Sequence, residues 1–167
     1  PYLLEFKGIV GQTYDITTGK YPVIDEIRTL ITQTHLDGNS KLYATPSTTM
    51  AVDLAFKNAD LSVRGYSGNN DGTTTAQEII DALPAAQRQL KGTLGFGVGT
   101  NVDFFHTAPM LDESTISATQ QANTAAYRSA VEAVSAIIFQ IQELNGDSEN
   151  NTNNVMSDLT NDLADGE

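Results

Sequence analysis

Tyr127-Arg128-Ser129-Ala130-Val131-Glu132-Ala133-Val134-Ser135-Ala136-Ile137-Ile138-Phe139-Gln140-Ile141 sets its apolar side chains three and four residues apart. Tyr127, Val131, Val134, Ile138 and Ile141 make one stripe, which Ala130, Ile137 and Leu144 broaden. That spacing predicts an amphipathic helix of four or more turns within Thr115 to Leu144, closed by Asn145-Gly146. Its first third (Ser117, Thr119, Gln120, Gln121, Asn123, Thr124) is polar except for alanines. Such a stretch projects, packs through its small residues, or pairs with another chain. Beyond the polar linker Asp147 to Asn154, the residues Val155, Met156, Leu159 and Leu163 mark a short last helix.

Working back toward the start, Gly92 to Leu111 has no period and reads as a connecting segment, with Phe104 and Phe105 pinned into the core. Thr75 with Glu78 three residues on is a capping box for a helix that carries Ile79, Ile80 and Leu83 inward. Pro84 kinks or restarts that helix, and Leu90 closes it before Gly92. Thr45-Pro46 gives an N-cap followed by proline at the first helical position. The next helix then shows a stripe of Met50, Ala51, Leu54 and Ala55, small enough for close packing. Pro22, with Asp25 and Glu26 behind it, opens a further helix running to Leu36, with Val23, Ile27, Leu30 and Ile31 on one face. Residues 2–6 and about 12–17 read as a short hairpin or as the exit strand of a preceding module. The expected fold is all-α and multihelical, with about five helices and a short N-terminal β-strand or hairpin. The expected division is 1–17 for the strand or hairpin and 18–167 for the helical domain.

Composition bounds the function. The chain of 167 residues carries a net charge of −12 and no cysteine. Such a charge repels phosphate backbones, so nucleic acid is not an expected partner. No apolar run reaches the roughly 18 residues of a membrane span. Without cysteine there is neither a disulfide scaffold nor thiol chemistry. An acidic chain rich in Thr and Asn and poor in Lys suits an exported surface protein. The chain begins at Pro1 within a strand pattern and ends just past a helical one, so a piece of a longer polypeptide is expected.

The run Tyr43-Ala44-Thr45-Pro46-Ser47-Thr48-Thr49-Met50-Ala51 resembles an element of a helical domain found in large bacterial surface proteins and lipoproteins. In those proteins the domain follows immunoglobulin-like or transthyretin-like (carboxypeptidase-regulatory-like) β modules. Tyr2 to Phe6 looks like the exit strand of such a module, and Thr18-Gly19-Lys20-Tyr21-Pro22 like the entry to the domain. Leu94-Gly95-Phe96 with Asp103-Phe104-Phe105 resembles its loop, and Asn161-Asp162-Leu163-Ala164-Asp165-Gly166 its closing motif. Ser47 departs from the apolar residue usual in the second position after Thr45-Pro46. The resemblance implies an exported, multidomain parent at the cell surface, with a lipid anchor among the expected modes of attachment. It implies no catalytic residue.

Few residues suggest chemistry. Gly95-x-Gly97-x-Gly99 lacks the spacing and the strand-to-helix setting of a nucleotide loop. His35 and His106 are the neutral-pH bases, and neither has a nucleophile elbow near it. Calcium takes six to eight oxygen ligands, and two stretches offer them. One is Asn69, Asn70 and Asp71. The other is Asp147, Glu149, Asn151 and Asn153 with Asp158 at the twelfth position, without the usual glycine at the sixth. The readings that follow are a non-enzymatic structural or adhesive module with a protein partner or self-association through strand 2–6, an extracellular hydrolase with paired carboxylates, or a calcium-stabilised binding module.

Overall fold

Strand β1 (Tyr2–Lys7) pairs antiparallel with β2 (Glu26–Ile31), with Glu5 opposite Arg28 and Lys7 opposite Glu26. A computed structural model describes residues 1–15, 19–38, 40–113, 115–145 and 152–165. After the two strands come the single turn α1 (Gln33–Leu36) and the helices α2 (Pro46–Asn58), α3 (Ala76–Leu94), α4 (Ala118–Asn145) and α5 (Thr152–Asp165). The fold is thus mostly helical with a small two-stranded sheet. Among the described residues there are four helices longer than one turn, rather than about five.

The helix expected from Pro22 to Leu36 is the point of correction. Residues 26–31 form β2, and only Gln33–Leu36 is helical. Ile27, Leu30 and Ile31 fit a helical face, but Ile27, Thr29 and Ile31 fit strand alternation equally well, and they are β-branched. Tertiary partners decide between the two readings. Arg28 N–H donates to Thr49 Oγ1 at 2.8 Å, and Thr48 Oγ1 donates to Arg28 C=O at 2.8 Å. The first turn of α2 therefore holds one edge of β2, and β1 holds the other. The hairpin partner expected at 12–17 is corrected too. Gln12 to Asp15 form no strand, residues 16 and 17 lie outside the described residues, and β1 pairs with β2 instead.

Helix α2 is the hub, touching β2, α3, α4 and α5. Its stripe of Met50, Ala51, Leu54 and Ala55 is completely buried. Helix α3 runs through Pro84 and past Gly92 to Leu94, further than the expected stop at Leu90. From α4, Tyr127, Ala130, Val134 and Ile138 enter the core, while Leu144 at its far end is exposed. Phe104 and Phe105 are buried as expected. Tyr127 stacks on Phe104 at 5.2 Å and its hydroxyl meets Thr45 Oγ1 at 2.8 Å. That hydroxyl also reaches Phe104 C=O at 3.1 Å. One buried phenol thereby ties α4, the cap of α2 and the 92–112 segment together.

Candidate functional site

The sheet has one covered edge and one open edge. Because Arg28 spends its backbone groups on Thr48 and Thr49, it cannot spend them on β1. Arg28 and Glu5 are therefore a non-hydrogen-bonded pair, and the antiparallel alternation follows from that. Gly8 N–H donates to Asp25 C=O at 2.6 Å, which places the even positions of β1 on the β2 side. Leu3, Glu5 and Lys7 thus turn their N–H and C=O groups away from β2. Among the described residues no backbone group bonds to them on that outer side. The strand is exposed as well as open, with Tyr2 65%, Leu3 49% and Phe6 49% accessible. An unpaired edge of this kind is a template for a further strand.

Beside the edge lies a polar cluster that sequence reading missed, since it depends on β2. The Arg28 guanidinium reaches Glu5 at 3.2 Å, Glu26 at 2.8 Å and Asp53 at 3.1 Å. The Arg28 hydrogen bond lowers the Glu26 carboxyl pKa. Burial raises that of Asp53 against the pull of Arg28. Two carboxyls with opposite shifts are the pattern of acid–base chemistry. Here the guanidinium stands between them, and the adjoining cavity of about 180 Å³ is small beside the roughly 300–1,000 Å³ of ligand pockets. The cluster is a clamp joining β1, β2 and α2.

The two histidines meet. His35 on α1 and His106 in the 92–112 segment place their Nε2 atoms 3.0 Å apart, with near-parallel rings. The protons can be assigned from the partners. Thr32 N–H donates to His35 Nδ1 at 3.0 Å, so that nitrogen is an acceptor and neutral His35 carries its proton on Nε2. His35 Nε2–H then donates to His106 Nε2. His106 carries its proton on Nδ1, 3.1 Å from Asp103 Oδ1. Burial, followed by the neighbouring imidazole, lowers the His35 pKa, and Asp103 opposes this. His106 Nε2 is occupied by His35, so the Asp103–His106 pair does not present a free base to a nucleophile. The arrangement is a strut between α1 and the 103–107 turn.

Asn69, Asn70 and Asp71 share one loop, and their oxygens hold its backbone. Asp71 Oδ1 accepts from Thr73 N–H at 2.8 Å and Asn69 Oδ1 from Asp71 N–H at 2.9 Å. Asn70 Oδ1 accepts from Ser62 N–H at 3.2 Å. Asp60, which the sequence did not single out, takes the Asp71 and Gly72 amides at 3.0 and 2.9 Å. Of the second calcium candidate, Asp147, Glu149 and Asn151 lie outside the described residues, and Asp158 is exposed on α5. Among the described residues no group of three or more His, Asp or Glu side chains is placed to hold a metal ion. Nor is any described helix long and apolar enough to cross a membrane. The glycine-rich run follows α3, with Gly95 at its C-terminal cap. Lys91 fastens the loop beyond it, donating to Thr100 C=O at 3.2 Å and to Val102 C=O.

No family model, curated protein or solved structure matches the chain.

Proposed function

We propose that the chain is a non-enzymatic structural module of an exported bacterial surface protein, engaging a neighbouring polypeptide through the open edge of β1. The observation that carries this reading is the outward row of backbone groups at Leu3, Glu5 and Lys7 on an exposed strand. Strand addition to such an edge gains main-chain hydrogen bonds, with specificity from alternate side chains. The resemblance to helical domains that follow β modules in surface proteins points the same way. So does the internal use of both polar clusters: the Arg28 fork is filled by three carboxylates, and His106 Nε2 by His35.

A synthetic peptide of residues 1–9, titrated into the intact chain at a dilution where light scattering finds it monomeric, tests the edge. The amide resonances of Leu3, Glu5 and Lys7 are expected to shift and to exchange more slowly with solvent. Glu5→Pro removes an outward N–H and none of those bonded to β2, so it is expected to abolish the response. Glu5→Gln keeps the N–H and is expected to retain it. A monomeric chain whose edge amides ignore the peptide at saturating concentration would overturn the reading.

A further inference from the structure

We propose that the strand filling this edge is β1 of a second copy of the chain, laid antiparallel about a twofold axis at Phe6. The inference rests on the reading of β1 as an open, strand-accepting edge, and it names the partner. Since Leu3, Glu5 and Lys7 face outward, a second β1 must set odd residues against odd residues to exchange hydrogen bonds. Four symmetric registers, centred on Leu3, Leu4, Glu5 and Phe6, keep three or more residue pairs within the strand, and the one centred on Leu3 pairs no charged side chains. Centred on Glu5, the pairing sets two carboxylates directly opposite, which is destabilising. Centred on Leu4, it leaves each Glu5 against an apolar Leu3. Centred on Phe6, it sets Glu5 against the other copy's Lys7 twice, and ring against ring at the axis. Opposite charges and paired aromatics across strands are both favourable.

The covered edge says where assembly stops. Each β2 is already held on its far side by Thr48 and Thr49 of α2. The product is a closed four-stranded sheet, β2–β1–β1–β2, and no fibre grows from it.

Because the chain has no cysteine, a single introduced thiol reports the register. Across the axis the Phe6 positions form a non-hydrogen-bonded pair whose Cβ atoms approach within disulfide reach. Under mild oxidation Phe6→Cys is expected to become mostly covalent dimer, and Leu4→Cys to cross-link several-fold less. Light scattering of the unmodified chain is expected to give twice 17.9 kDa, and that of Glu5→Pro the single value. Cross-linking through Leu4→Cys in place of Phe6→Cys would overturn the register. A chain that binds the 1–9 peptide yet stays monomeric at its highest soluble concentration would overturn the second copy as partner while the edge reading stands. A monomer that also ignores the peptide sinks both.

Discussion

At the scale of single residues, the His35–His106 contact has a definite pH behaviour. Both rings must be neutral for the chain of donors from Thr32 to Asp103 to close, since a second proton on either would set two N–H groups face to face. The folded pKa of His35 lies below its ordinary value of 6.5. As pH falls, the unfolded chain therefore takes up the proton first. The contribution of His35 is complete above about 6.5 and is lost as pH falls through the folded pKa. Comparing the intact chain with His35→Gln by urea unfolding isolates this from the other carboxylates. The advantage of the intact chain is expected to shrink between pH 7.5 and 5; an advantage that does not change with pH would refute the assignment. No local pattern announces this pair, because the partners stand 71 residues apart. By contrast, both caps are legible, since Thr45-Pro46 and Thr75 with Glu78 complete their hydrogen bonds within three residues.

At the scale of elements, what was legible depended on length. Helix α4 repeats its apolar spacing often enough to leave no alternative, and its core face is the one read from Tyr127, Val134 and Ile138. Glu26–Ile31 is too short for that, and its residues satisfy both periods. Only the neighbours at Thr48, Thr49 and Glu5 settle it. The Arg28 clamp follows from that strand and holds it. Arg28→Met should leave the half-buried Asp53 without its partner and cost about 1–3 kcal/mol of unfolding free energy. Glu5→Gln, at the exposed arm of the same clamp, should cost under about 1 kcal/mol. Urea midpoints of the two variants measure the difference, and equal losses would show that the guanidinium does not discriminate between the arms.

At the scale of the whole molecule, the candidate calcium stretches were found because their residues are neighbours in sequence, and in the Asn69–Asp71 loop that proximity serves the backbone. The contacts that organise the molecule join distant residues: Arg28 to Asp53 across 25, and Thr45 to Tyr127 across 82. Composition and periodicity are silent on which distant residues meet. The Tyr127 phenol, buried among α4, the α2 cap and Phe104, has an optical consequence. With six tyrosines and no tryptophan, the near-ultraviolet spectrum of this chain belongs to its phenols. Burial pushes the Tyr127 hydroxyl well above the ordinary tyrosine range, whereas Tyr2 and Tyr14 are exposed. In an alkaline titration the Tyr127 ring should resist ionisation while the core holds. The last steps of tyrosinate absorbance then appear only when the core opens, a label-free signal of unfolding from Tyr127 and the likewise buried Tyr66.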